Sequence, residues 1–283
     1  MFNKGFILAM LSSLMFSIMN VFVKEASKTM GTGEIVFVRS FIGIIAILII
    51  MRYCHLHFSH KDIPTLILRG FAGGVSMFLL FVAISGMKLG DVAILQQLSA
   101  FFVLIISVVY LKEKLPTKSI LPLIIIVLGA CFVLRPWEYS SFSIYALMAI
   151  ASAFLIGVVV TTIHKLFEFG GHNSWEIVFY FLFFSMIVGL IAMINNYKMP
   201  TTYEWILLIA IGITSLLAQA FMTNAYGLAN QVLVSFIMYL GVFLNILWGY
   251  LFFDEIMNIL SIIGGILIIS SSLYLTISKQ KYK

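Results

Sequence analysis

The sequence predicts an all-α integral membrane protein of ten transmembrane helices, arranged as two inverted-topology five-helix repeats. Three observations carry that expectation. Hydrophobic residues make up 62% of the 283-residue chain and charged ones 10%, with a mean hydropathy of +1.12. A water-soluble fold could not hide so much apolar surface, because much of any folded surface stays in contact with solvent. The solvent must be lipid. The apolar residues fall into ten runs, each close to the roughly 20 residues that cross a bilayer. Finally, Ala83–Glu113 is answered by Ala225–Glu255 at an offset of 142 residues, which also carries Glu34-Ile35-Val36-Phe37 onto Glu176-Ile177-Val178-Phe179. Two separated matches in one ungapped register mark an internal duplication, with units 1–141 and 142–283.

The ten spans run at about 5–23, 35–51, 66–84, 91–111, 119–135, 143–163, 176–195, 204–223, 231–252 and 259–277. Met1–Lys4 before an apolar run imitates a signal peptide, but Gly5–Val23 is span length and no small-residue cleavage site follows, so it reads as a retained first span. Pro64, Pro116, Pro136 and Pro200 fall in the short connections. Pro122 falls in the first turn of span five, where its missing N–H matters least. Strands are excluded by length, since barrel strands are about 10 residues of alternating polarity. Gly70 and Gly74 form a small-xxx-small pair that lets span three approach a neighbour closely. Asp91 reads as the N-cap of span four. Cys54 and Cys131 suggest neither a disulfide nor a metal site.

Lysine and arginine orient the chain. With the N-terminus in the cytoplasm, eleven of the 17 Lys and Arg lie on the cytoplasmic side, five lie outside and Arg39 lies within span two. Both termini are therefore expected in the cytoplasm, and the +6 charge reflects insertion rather than a nucleic-acid surface. Five spans per unit is an odd number, so the two units must lie in opposite topology. Such symmetry suits a carrier with two related conformations around a site at the repeat interface, near the midplane.

At this point the residues resemble a known family. Ten spans in two halves, Phe37-Val38-Arg39, Leu68-Arg69-Gly70, the span ends Leu111-Lys112-Glu113 and Phe253-Asp254-Glu255, and Leu134-Arg135-Pro136 are similar to the drug/metabolite transporter superfamily, EamA branch. The likeness covers essentially the whole chain. It implies alternating-access movement of a small metabolite or drug, often outward, and a bacterial inner-membrane location. One departure stands out: many members carry proline thirteen residues before the helix-end Glu, where this chain has Ala100 and Val242. The resemblance therefore supplies no kink in spans four and nine.

Polar residues within spans should face the bundle interior. Ser13, Ser17, Asn20 and Lys24 share one face of span one by their spacing of four, three and four. Ser215, Gln219 and Thr223 do so in span eight, and Ser235 and Tyr239 in span nine, with Asn245 and Trp248 beyond. Gln96 and Gln97 lie about two turns inside span four. The 142-residue offset pairs Gln97 with Tyr239, Asn20 with Thr162 and Met77 with Gln219. The expected substrate cavity therefore comprises Ser17, Asn20, Arg39, Met77, Gln96, Gln97, Thr162, Gln219, Thr223, Tyr239, Asn245 and Trp248. Against each stands a structural reading: Ser and Thr bond back to their own helix, the amides join helices, and the aromatics pack.

Arg39 is an anion contact, or it satisfies helix C-terminal carbonyls or snorkels outward. Arg69 reads as an interface anchor at the mouth of span three, and Glu113 and Glu255 as helix termini. His55, His57 and His60 lack a fourth ligand for a metal. No Asp or Glu lies near the middle of a span, which leaves no intramembrane carboxylate for proton exchange. The cavity thus suits a neutral or zwitterionic amphipathic solute such as an amino acid, with a nucleoside or adenosyl compound as the other class. No cofactor is implied; the partners are the solute and the bilayer. A membrane-embedded enzyme would need a nucleophile and base together, and His164 has no such partner in the sequence.

Overall fold

The computed structural model describes residues 4–59, 61–111, 120–135, 143–169, 172–194, 197–229 and 231–280. These residues form twelve helices: α1 (Lys4–Ala26), α2 (Thr32–Tyr53), α3 (Ile63–Gly86), α4 (Leu89–Gln96), α5 (Leu98–Leu111), α6 (Ile120–Leu134), α7 (Ile144–Phe169), α8 (Ser174–Met193), α9 (Thr202–Leu228), α10 (Gln231–Met238), α11 (Leu240–Phe253) and α12 (Ile259–Gln280). Eight stretches are long and apolar enough to cross a bilayer, and Ile120–Leu134 and Ile259–Leu275 are shorter apolar helices. Together they account for the ten expected spans. Ile49, Leu121, Ile191, Ile206 and Ile266 are each more than 60% exposed, which only a lipid environment makes stable.

Spans four and nine differ from the expectation. Each is interrupted, at Gln97 and at Tyr239, without a proline. Gln97 donates its N–H to the Ile94 carbonyl and Tyr239 to that of Phe236, and Ala100 and Val242 repeat the same three-residue step. A tightened turn of this kind divides a helix as effectively as proline does. The two breaks occupy equivalent positions, so the duplication preserves the break while the sequence cue for it is missing.

Exchanging the halves maps α1 onto α7, α2 onto α8, α3 onto α9, α4–α5 onto α10–α11 and α6 onto α12. The packing respects that exchange. α1 packs on α9 as α7 does on α3, and α1 packs on α10 and α11 as α7 does on α4 and α5. α2 packs on α8 and α6 on α12, each against its own counterpart. Backbones meet where side chains are absent. A Cβ on Gly74 would stand 2.8 Å from the Ser185 nitrogen, and one on Gly70 2.7 Å from the Tyr180 carbonyl oxygen, which bears out the close approach expected of span three.

Local signals set the helix starts. Thr201 and Glu204 form a capping box at α9, and Asn173 caps α8 by accepting from the Trp175 N–H. Pro64 lies within the first turn of α3 rather than in the preceding connection. Asp91 is not a cap. Lys88 holds that position without a side-chain bond, and Asp91 is buried inside the first turn, because α4 begins two residues earlier than its apolar pattern suggested.

Candidate functional site

The near side of the bundle is the one on which α1 begins, and the far side the one on which it ends. The polar face of α1 lies along α11, across the boundary between the halves. Trp248 Nε1 donates to Ser17 Oγ at 3.1 Å, and Asn20 Nδ2 donates to Asn245 Oδ1 at 3.0 Å. Asn245 in turn donates to the Gly241 carbonyl of its own helix at 2.6 Å. Ser13 continues the face toward Gly241. At the far end Lys24 bonds the Glu255 carboxylate and the Met87 carbonyl, the latter at 2.6 Å. The other Glu255 oxygen accepts from the Leu89 N–H at 2.8 Å. One lysine and one glutamate therefore tie together the ends of α1, α3 and α11 and the start of α4. Glu255 is more than the helix terminus the sequence suggested. Glu113, its counterpart, lies outside the described residues.

The second polar face belongs to α9, which packs against α1. Ser12 Oγ donates to the Ala218 carbonyl at 2.9 Å and holds the two helices in register. Ser215, Gln219 and Thr223 are all buried. Among the described residues, Gln219 Oε1 and Thr223 Oγ1 have no hydrogen-bond partner, and neither do Ser13 Oγ and Asn20 Oδ1. Buried polar atoms are normally satisfied. Four on two facing helices form a strip of unspent hydrogen-bonding capacity.

The remaining expected residues are spread around this strip. Gln96 donates to the Ala149 carbonyl at 3.2 Å and so joins α4 to α7. Gln97, half-buried, sits at one helix break, and Tyr239, buried with its phenol beside Ser272, sits at the other. Met77 is packed in the main apolar core. Trp248 leans on Phe252 at 5.8 Å. Thr162 donates to the Val158 and Val159 carbonyls of its own helix, so it does not present its hydroxyl to Asn20. The Ser235 and His164 side chains lie outside the described residues, as does His60. His55 and His57 are exposed.

Arg69 is a correction. It is not an interface anchor but is 1% exposed. Its guanidinium carbon lies 5.1 Å from the centre of the Phe181 ring, and Gly73 leaves it room, since a Cβ there would stand 2.4 Å from Nη1. Arg39, 0% exposed, reaches the same ring at 5.4 Å and Phe81 at 5.5 Å. Arg39 Nη1 donates to Ser215 Oγ, and Nη2 stands 3.5 Å from Ser40 Oγ. The sequence marked Arg39 by its place in a span. Arg69 escaped because a cation near a helix start looks like an anchor.

The matched glutamates also turned out differently from each other. Glu176 is buried and accepts from the Ser59 N–H at 2.8 Å, with His172 Nδ1 at 3.1 Å. Glu34 is equally buried on the opposite side, with no hydrogen-bonded side chain among the described residues but with the Lys198 backbone N–H and ammonium and the Glu204 carboxylate in its neighbourhood. It lines a cavity of about 170 Å³ with Gly31, Phe78, Val82 and Met193. Only the four-residue spacing of His172 and Glu176 hinted at their pairing.

Comparison with known proteins agrees with this architecture. The EamA-like transporter family matches the chain twice, over residues 3–135 and 143–277. A pseudopaline exporter, CntI, of Pseudomonas aeruginosa is 38% identical over 279 residues, covering 98% of each chain. A riboflavin transporter of Brucella anthropi is 27% identical over 209 residues, 72% of each chain. A crystal structure only 12% identical superposes with a TM-score of 0.68, covering 99% of this chain and 98% of that one. The chain belongs to the EamA-like transporter family and is a membrane transporter rather than an enzyme.

Proposed function

We propose that the chain exports a small metabolite across the inner membrane by alternating access, and that its solute is a neutral or zwitterionic amphipath such as an amino acid. The observation that carries the reading is the strip of unpartnered polar atoms on α1 and α9, at the boundary of the halves. Inverted-repeat carriers place the solute at such a boundary. Units 1–141 and 142–283 are the two inverted five-span repeats, with both termini in the cytoplasm by the lysine and arginine count. Similarity to a pseudopaline exporter supports outward movement of a small metabolite. Similarity to a riboflavin transporter favours a second reading, uptake or exchange of a larger ring-bearing solute of the nucleoside or adenosyl type.

Counterflow in proteoliposomes tests both readings. Vesicles are loaded in turn with amino acids, nucleosides and adenosyl compounds, with and without a pH gradient. The expected result is accumulation of one labelled compound driven by its unlabelled form. The absence of midspan carboxylates in the sequence leads us to expect no further drive from the gradient. Gln97→Ala and Tyr239→Ala should each abolish counterflow in folded protein. Undiminished transport in both would remove these residues from the cavity, and no counterflow of any compound in folded protein would end the transport proposal.

A further inference from the structure

We propose that Arg39 and Arg69 form a subsite for a carboxylate group of the transported solute, which makes the solute a carboxylate-bearing compound such as an amino acid rather than one without a charge at that end. The inference rests on the transport reading above. Two fully buried guanidinium groups converge on one ring, Phe181, from α2 and α3. Each carries five N–H donors and a permanent charge. Among the described residues, Arg69 has no hydrogen-bond partner at Nε, Nη1 or Nη2, and Arg39 has none at Nε. Neither makes an ion pair with a described Asp or Glu.

A ring face offsets part of such a charge but supplies no oxygen to the N–H groups. Uncompensated charge within a bilayer is retained where a solute or ion completes it. A guanidinium fork matches a carboxylate in shape and charge. Ser215, which takes the Arg39 bond, is followed on the same face of α9 by Gln219 and Thr223 at intervals of four residues, about 6 Å per step. The unpartnered oxygens of Gln219 and Thr223 extend that polar face away from the arginines and suit the polar remainder of the solute.

The test uses the purified full chain in proteoliposomes, with the proteinogenic amino acids and their carboxamides as probes. The wild type should counterflow an amino acid and discriminate against its carboxamide. Arg39→Lys and Arg69→Lys keep the charge and lose the fork, so each should raise the KM for the acid about tenfold or more and that for the amide by a much smaller factor. Arg39→Gln and Arg69→Gln, where folded, should abolish the preference. A purely structural arginine would lower transport of acid and amide together. Equal handling of acid and amide by the wild type, or counterflow of a nucleoside alone, overturns the carboxylate subsite and leaves the transport reading intact. Absence of counterflow for every compound overturns both.

Discussion

Arg39 and Phe181 are the same position in the two halves, related by the 142-residue offset, and they touch, with the guanidinium carbon 5.4 Å from the ring centre. A residue can meet its own counterpart only near the axis that relates the halves. The α2–α8 contact therefore marks that axis, and the duplicated position has diverged into a cation and the ring that receives it. Removing the ring should be felt through both arginines. Phe181→Leu keeps the bulk and loses the ring face, so it should destabilise the protein by about 1–2 kcal/mol. In an Arg39→Met background the same change should cost about 1 kcal/mol less, a coupling that thermal unfolding of the four proteins would read.

The Lys24–Glu255 pair makes a second prediction. Both side chains are nearly buried, at 15% and 10% exposure, and they hold α1, α3, α4 and α11 together on the far side. Removing one partner strands the other, which costs about 3 kcal/mol or more in a buried pair. Lys24→Met and Glu255→Gln should therefore favour the conformation open to the far side. A cysteine in place of the half-buried Met87, whose backbone carbonyl accepts from Lys24, should label faster with a membrane-impermeant maleimide added from that side. The exchange Lys24→Glu with Glu255→Lys should slow labelling again; labelling rates equal to wild type in all three variants would refute the latch.

Glu34 and Glu176 should respond oppositely to neutralisation. Glu176 has a backbone N–H and His172 as partners, so Glu176→Gln should weaken charge-assisted bonds and lower stability by about 1–3 kcal/mol. Glu34 has the Lys198 backbone N–H and ammonium nearby, opposed by the Glu204 carboxylate. Glu34→Gln removes a buried charge that faces Glu204, keeps an acceptor for the Lys198 N–H, and should leave stability unchanged or raise it. Melting temperatures of the two variants decide the matter.

These contrasts indicate what the sequence could and could not carry. Helix positions, the duplication and the polar face of α1 were legible because they depend on local periodicity, and Ser17, Asn20 and Lys24 do line one seam. Gly70 and Gly74 were legible for the same reason. The helix breaks at Gln97 and Tyr239 were not, since a tightened turn needs no special residue. Lys24 finds Glu255 across 231 positions, and Arg69 is drawn inward by Phe181 on another helix. No spacing rule reaches such pairs. The duplication predicted equivalence of Glu34 and Glu176 but not their different surroundings, because symmetry of backbone does not bind the side chains nearby.

The Asn20–Asn245 bond allows packing and transport to be separated. Each amide crosses the boundary between the halves, and Asn20 Oδ1 remains unpartnered. Asn245→Leu alone strands the Asn20 amide in an apolar seam, a loss of about 1–3 kcal/mol. Replacing both with leucine removes donor and acceptor together, so the double variant should recover most of that stability. If the pair only joins helices, transport should recover with stability. If Asn20 supplies an acceptor to the solute, the double variant should fold as well as wild type and still fail in counterflow. We expect the second pattern, and recovery of transport in the double variant would remove Asn20 from the site.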